Sequence, residues 1–330
     1  MIAPTRSAPA ALGRGVSQVV ANPGLLLAPL AFVGVVAAVL AAVGASAVLL
    51  AGSVLAEREV WRRGPAAIWD FFESLRAFLL ASPGAVVLAL SGVLVVLLFL
   101  TSVAAWVRAG VTGALAEVDA CASEAAPLAA FRHPAIGRAF FGSAARLFGA
   151  FFALVNLYGI AGTVLVLFLV VPAMGVLSGA LTSNTTLTIL SGLALAVAVP
   201  VGIVAGAALR VLYLVAGRVL VREPVDALGA VARAVTLVRE NPGRTAALYL
   251  LGAVGAMAVG IGFVVPRVVL TFVAGWSRAG LWVVMGVSGA FLFLQVVVGL
   301  AYELALTGSF VALWPSADAP ESAPPEIAPA

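Results

Sequence analysis

Long stretches without any charged residue dominate the pattern of this chain. Five such windows are present, and each can hold at least one membrane-spanning helix of about 20 residues. The window at 147–209 can hold two, and a polar break, TSNTT at 182–186, divides it. The pattern therefore predicts six spanning helices, at about 25–50, 84–106, 149–172, 188–209, 245–266 and 281–302.

Composition indicates the same class of protein. Of the 330 residues, 63% are hydrophobic and 10% are charged, whereas soluble domains carry about 25% charged residues. The mean hydropathy is +1.18. We therefore expect an all-α, polytopic membrane bundle over 25–314, with the lipid bilayer as its surroundings.

The distribution of arginine predicts the orientation of the bundle. Cytoplasmic flanks of spanning helices carry an excess of basic residues. If the N-terminus lies inside, twelve of the 18 basic residues flank the inner ends of spans and six flank the outer ends. We therefore expect a multi-pass protein of the cytoplasmic (inner) membrane with both termini in the cytoplasm.

Two stretches between the spans have the periodicity of amphipathic helices. One lies at 66–80. The other, at 225–240, has an apolar stripe of Val225, Leu228, Ala232, Val235 and Val238. Such a helix can lie in the plane of the membrane or cap the bundle, and the pattern does not decide between the two. A further short interfacial helix is expected in the N-terminal arm at 1–24, and the Pro/Ala-rich, acidic tail at 315–330 is expected to be disordered.

A short motif occurs twice, at Asn22-Pro23-Gly24 and at Asn241-Pro242-Gly243. In both copies an arginine, Arg14 or Arg233, stands eight residues before the asparagine. Asparagine favours the N-cap of a new helix and proline its first turn, so each motif predicts a corner between an in-plane helix and a span. A third copy is a hypothesis for the segment that begins at Gly137, which would make the fold a set of repeated hairpins.

The segment LVAGRVLVREPVDALGAVARAVTLVRENPGR carries a family resemblance. It resembles the membrane domain that is attached to some bacterial glycerophosphodiester phosphodiesterases, and related uncharacterised membrane families, over about 210–265. The resemblance implies a fold type. It does not imply lipid hydrolysis, because the chain lacks both the soluble phosphodiesterase domain and a cluster of acids and histidines that could replace it.

Four polar residues in or near the spans are candidate functional positions. Asn156 and Tyr158 lie in the third span, Gln295 lies in the sixth, and Glu303 follows the sixth. The first three suit hydrogen bonds between helices, since buried polar groups need partners in hydrocarbon. Because a complete span precedes Glu303, we expect it at the inner interface, with 304–314 lying along that interface; a deeper position would favour a role in transport.

Catalytic and metal sites are not expected. GVSGA, at 286–290, resembles the nucleophile motif of rhomboid proteases, but those enzymes need a histidine base in a later span, and the single histidine, His133, comes much earlier. The motif is expected to serve close helix packing, as is Gly202-x-x-x-Gly206. With one cysteine, Cys121, and one histidine, no metal or cofactor is expected. The scattered arginines argue against a nucleic-acid partner.

The sequence therefore favours a non-enzymatic membrane protein with an accessory, scaffold or assembly role. Its partners would be other membrane proteins or a second copy of the chain. A transporter or channel for a neutral or lipid-like solute is the alternative, with a lipid-acting enzyme as the third hypothesis.

Overall fold

A computed structural model describes residues 5–55, 77, 80, 83–122, 127–274 and 278–314 of the chain. This part contains eight α-helices and no strand, which confirms the all-α class. Two short 3₁₀ helices, Pro23–Leu26 and Leu128–Phe131, lie between them. The α-helices are α1 (Ala8–Ala21), α2 (Leu27–Leu55), α3 (Pro83–Cys121), α4 (Ile136–Leu181), α5 (Thr185–Arg222), α6 (Ala227–Glu240), α7 (Pro242–Ala274) and α8 (Arg278–Leu313).

Six helices are long and apolar enough to cross a membrane, as the charge-free windows predict. They are α2, α3, α4, α5, α7 and α8. Several extend well past the predicted spans. At 1.5 Å per residue the 46 residues of α4 measure about 69 Å, against about 30 Å for the hydrocarbon layer. A charge ends the apolar stretch, but the helix continues, because its backbone hydrogen bonds do not depend on the side chains.

The chain divides into two compact units. The first unit comprises Met1–Leu30, Ala105–Val155 and Ala208–Ala330, and the second comprises Ala31–Ala104 and Asn156–Ala207. The boundaries fall inside α2, α3, α4 and α5.

In the second unit, α4 and α5 form a tight hairpin at the predicted polar break. Ser183 adopts a left-handed backbone conformation, with φ of 54°. The Asn184 side chain then accepts a hydrogen bond from the Leu187 backbone N–H at 3.0 Å and caps the start of α5. Gly179 lies directly against Thr188. The break therefore separates two spans, as predicted.

Large apolar side chains cover much of the outside of this unit. Leu88, Ile160, Ile203 and Val204 are all well exposed. Contiguous apolar surface of this kind suits a lipid environment and would be costly in water. Gly202 and Gly206 face Leu169 and Leu165 on α4, so this glycine pair supports close packing, as expected.

In the first unit, the N-terminal helix α1 packs on α8 and α7. Its amphipathic pattern is inverted: Arg14 and Gln18 are buried, whereas Val16 and Val20 are exposed. At the crossing with α8, Gly15 lies so close to Ala305 and Ser309 that a side chain could not fit without displacement. The predicted helix at 1–24 thus exists, and its polar face points into the protein.

Helix α6 matches the predicted position. Asp226 caps its start by accepting a hydrogen bond from the Gly229 N–H at 2.8 Å. Leu228 of the predicted stripe is 66% exposed, so the stripe does not pack on the bundle; that it faces lipid stays a prediction. Small side chains permit a closer approach to neighbouring helices, and the buried stripe consists of Ala227, Ala230, Ala234 and Leu237. The predicted helix at 66–80 and the tail at 315–330 lie outside the described residues, apart from positions 77 and 80.

Both Asn-Pro-Gly motifs form a corner, as predicted. Helices α1 and α6 each have 14 residues, and each ends at an asparagine with similar backbone angles, φ −129° and ψ 64° at Asn22 and φ −134° and ψ 53° at Asn241. The predicted N-cap role is wrong for Asn22, whose side chain does not cap the helix that follows. Its amide instead donates to the Phe131 carbonyl at 2.7 Å and accepts from the His133 N–H at 3.0 Å.

The third copy of the motif is not a corner. The segment that begins at Gly137 belongs to α4, which starts at Ile136 and continues without interruption to Leu181. Helix-forming residues occupy the place of Asn-Pro, so nothing stops the helix there.

Candidate functional site

A buried carboxylate, Asp119 of α3, lies at the centre of the first unit and is 5% exposed. One of its oxygens accepts hydrogen bonds from Arg14 Nε at 2.6 Å and from Gln18 Nε2 at 3.2 Å. The other lies 3.6 Å from Arg6 Nη1 and 3.5 Å from Arg222 Nη2. Both oxygens of Asp119 are therefore engaged.

The arginines around Asp119 also bind backbone carbonyls at the ends of helices. Arg14 Nη2 donates to the carbonyls of Asp119 and Ala122, at 3.0 and 2.7 Å. Arg222 Nη2 donates to the Ala116 carbonyl at 3.2 Å. The guanidinium carbon of Arg14 lies 5.1 Å from the ring centroid of Phe131, a cation–π distance. These contacts supply the partners that a buried cation requires.

Two further arginines bind backbone carbonyls at the end of α8. Arg6 donates through its backbone N–H to the Leu313 carbonyl at 3.0 Å and through Nη1 to the Ala312 carbonyl at 2.6 Å. Arg218, on α5, donates to the Trp314 carbonyl at 2.5 Å and stacks over the indole of the same residue at 5.4 Å. The carbonyls left over at the end of α8 thus receive cationic donors, which also suit the negative end of the helix dipole.

The cluster is held by charge complementarity within a buried region. Three arginines lie within 3.6 Å of one carboxylate, so the group carries a surplus of positive charge. A carboxylate with both oxygens engaged in this way orients helices. It is not placed to abstract a proton or to bind a substrate group.

Metal ligands are sparse in the part of the chain that the structure describes. No group of three or more His, Cys, Asp or Glu side chains that could hold an ion occurs there.

Glu303, one of the four sequence-predicted positions, pairs with a residue of another helix. Its carboxylate accepts a hydrogen bond from Arg210 Nη2 on α5. The neighbouring Tyr302 donates its hydroxyl to the Gly252 carbonyl on α7. The residues after Glu303 do not form a separate surface segment as expected. They continue α8 to Leu313, and 304–314 are buried in the first unit, because small residues allow α1 to pack against them.

The other three predicted positions lie within spanning helices. Asn156 and Tyr158 are half-buried in α4 and belong to the second unit. Gln295 is half-buried in α8 and belongs to the first unit, and its Oε1 is a buried acceptor without a hydrogen-bond partner among the described residues. The four predicted positions are therefore divided between the two units, with Gln295 and Glu303 in the first.

Ser288, in the motif that resembles a protease nucleophile, lines a cavity of about 300 Å³ together with Val264, Arg267, Val268 and Phe272. His133 lines a different cavity, so the serine and the histidine that a protease would need do not line the same cavity. The expected close packing is not met at Gly289, where an added side-chain carbon would contact nothing within 4 Å.

The Asp119 cluster was not predicted as a site. The sequence does contain one signal for it: Arg14, Gln18 and Asn22 recur every fourth residue, which places three polar side chains on one face of α1. Polar stripes on short helices usually face solvent. The stripe is in fact the buried face, because Asp119 and the 131–133 backbone provide its partners.

The segment that carries the family resemblance folds as the end of α5, the whole of α6 and the start of α7. The chain matches no family model, and no curated protein or solved structure matches it at a significant level. The resemblance to the membrane domain of glycerophosphodiester phosphodiesterases stays a prediction. The six long apolar helices identify a multi-pass, helical membrane protein.

Proposed function

We propose that this chain is a non-enzymatic integral membrane protein with an accessory, scaffold or assembly role. The observation that carries the proposal is the engagement of Asp119 by three arginines and Gln18. An acid that transfers a proton or couples to ions needs an oxygen within reach of the substrate or ion. Asp119 instead ties α1, α3 and α5 together, which keeps the surface of the first unit constant for a partner.

The partner would be another membrane protein or a second copy of the chain. Membrane helices associate through close packing and interhelical hydrogen bonds, since lipid supplies no hydrophobic drive. Exposed glycines such as Gly289 on α8 and Gly92 on α3 leave room for a neighbouring helix to approach.

The alternative is a carrier or channel for a neutral or lipid-like solute, and the Arg210–Glu303 pair favours it. Both residues lie inside helices long and apolar enough to span a membrane. Charged residues in spanning helices commonly mark transport pathways.

One preparation tests the scaffold against the carrier. The chain is first extracted in mild detergent from the membranes in which it is naturally made. On a native gel it is then expected to migrate together with a partner protein, at a fixed ratio of the two. Reconstituted alone into liposomes, it is expected to give no flux of glycerol or of a labelled lipid above that of protein-free liposomes.

A carrier would give the opposite result. The scaffold proposal would be overturned if the wild-type chain gave a flux that fell at least tenfold in Glu303→Gln but persisted in the control Glu223→Gln. The control is matched, because both carboxylates have side chains that are 34% exposed and both face an arginine.

We further propose that the chain lies in the cytoplasmic membrane of a bacterial cell with both termini inside. The support is the excess of arginine in the flanks assigned to the inner side, twelve of the 18 basic residues. Many of these inner-flank arginines, including Arg14 and Arg222, belong to the first unit.

Reporter fusions test this orientation. A fusion that ends at Ser183, in the turn between α4 and α5, follows three spans and is expected to show alkaline phosphatase activity but no fluorescence from a green fluorescent protein. A fusion at Trp314 is expected to show the reverse. Fluorescence from the Ser183 fusion would reverse the assignment of sides.

A further inference from the structure

A cavity of about 330 Å³ lies in the first unit beside the first turns of α4. Its polar lining consists of Glu117, His133, Arg138, Ser143 and Arg146. The volume is at the lower end of the range of about 300–1,000 Å³ that is usual for ligand sites. It suits a small polar group better than a large organic ligand.

Two of the lining residues are arginines whose side chains have no partner in the part of the chain that the structure describes. Arg138 and Arg146 are exposed, and neither guanidinium forms an ion pair or hydrogen bond with another described residue. Arginines of the Asp119 cluster, in contrast, are engaged by a carboxylate and by carbonyls. The guanidinium groups at this cavity therefore remain available to an external anion.

The remaining polar groups of the cavity fit an anion as well. Glu117 is the only acid among the described lining residues, and its carboxylate lies 3.5 Å from His133 Nε2, so its charge is directed towards the imidazole. His133 Nδ1 is buried and has no hydrogen-bond partner among the described residues. The start of α4, at Ile136, adds the positive end of a long helix dipole.

An aromatic stripe runs next to the arginines on the same helix. Arg138 and Arg146 lie eight residues apart, two turns along one face, and Phe141 and Phe148 lie seven apart on the adjacent face. Phe141 is 61% exposed and Phe148 36% exposed. Trp106 packs on Phe141 with a centroid distance of 5.6 Å, at the predicted end of the second span, where interfacial tryptophans are common.

From this combination we propose that the cavity is a binding site for a phosphate ester, held by Arg138 and Arg146. Arginine binds phosphate oxygens through two parallel hydrogen bonds, and Ser143 adds a hydroxyl donor. The exposed phenylalanines offer acyl chains an apolar surface beside the arginines, so we take an anionic glycerophospholipid as the source of the phosphate. The site is independent of the scaffold role and of the Asp119 cluster.

Native mass spectrometry of the full chain in a neutral detergent tests the site. The probe is dioctanoyl phosphatidylglycerol, and dioctanoyl phosphatidylcholine is the zwitterionic comparison. We expect the Kd for phosphatidylglycerol to rise about 10- to 30-fold in the double variant Arg138→Gln/Arg146→Gln, since each arginine near a membrane surface contributes a factor of about five and the two factors multiply. Arg138→Lys/Arg146→Lys, which keeps the charge, should retain most of the affinity.

The matched control is Arg132→Gln/Arg239→Gln. It removes the same charge from two exposed arginines that do not line the cavity and have no partner among the described residues. An equal loss of affinity in this control, or no loss in the Arg138/Arg146 glutamine variant, would overturn the proposal.

A second ligand distinguishes the source of the phosphate. Glycerol 3-phosphate, which has no acyl chain, is expected to bind at least tenfold more weakly than phosphatidylglycerol, and Phe141→Ala should weaken only the lipid. Equal affinity for both ligands, with the same dependence on Arg138 and Arg146, would assign the site to a soluble phosphate ester.

Discussion

Replacing Asp119 with alanine is expected to lower the free energy of unfolding by about 3–5 kcal/mol. The substitution leaves Arg6, Arg14 and Arg222 close together without the carboxylate that lies within 3.6 Å of each of them, and breaking a buried ion pair from one side has a cost of this order. The measurement is the loss of helical circular dichroism during denaturation of the purified chain in detergent.

The control for this prediction is Glu240→Gln. Glu240 ends α6 and is exposed, so its neutralisation should change the unfolding free energy by less than about 0.5 kcal/mol. Asp119→Asn, which keeps the shape of the side chain, should fall between the two. If Asp119→Ala unfolds like the wild type, the cluster does not hold the first unit together.

The second large effect is expected from Gly15→Ala. A β-carbon at this position would collide with the Ala305 carbonyl oxygen and with Ser309, and a backbone carbonyl inside α8 cannot rotate away. Helix α1 must therefore shift off α8, with a loss of about 1–3 kcal/mol. The same denaturation measurement detects it.

Gly13→Ala is a matched control on the same helix. An added carbon at Gly13 meets nothing within 4 Å, so the higher helix propensity of alanine should leave stability unchanged or raise it by up to about 1 kcal/mol. Equal destabilisation by the two substitutions would show that α1 does not pack through Gly15.

The spanning helices were predictable from sequence because the physics that selects them is local. A membrane helix satisfies its own backbone hydrogen bonds and needs only length and apolar character. The turn at 182–186 was predictable for the same reason, since Asn184 caps the helix that it begins. The corners after α1 and α6 follow from Pro23 and Pro242, which restrict the residue before them.

The faces of the short helices were not predictable in this way, because they depend on distant partners. Nothing near Leu228 in sequence shows that alanines would be buried and leucine exposed. The corresponding arginines of the two motifs also differ: Arg14 is buried against Asp119, whereas Arg233 is half-exposed and lies 3.6 Å from Glu223. Equal spacing along the chain does not fix equal surroundings.

The candidate site was predicted only in part. Glu303 was predictable as a candidate from its position after a complete apolar span. Its pairing with Arg210 was not, because it depends on how α5 and α8 approach each other. Asp119 was not predicted as a site residue, because it is one acid in a segment of mixed polarity. Its importance arises from arginines 105 residues before it and about as far after it along the chain.

The contact between Arg6 and the end of α8 has a consequence for how the protein is made. The hydrogen bond from Arg6 to the Ala312 carbonyl joins positions 306 residues apart, and α1 packs chiefly on α8. At roughly 5–20 residues per second, the ribosome needs on the order of 15–60 seconds to supply that partner. During this interval Arg14 and Gln18 lack the α8 surface that later covers their helix. Helix α1 thus reaches its final neighbours only after α8, which is made about 300 residues later, is in place.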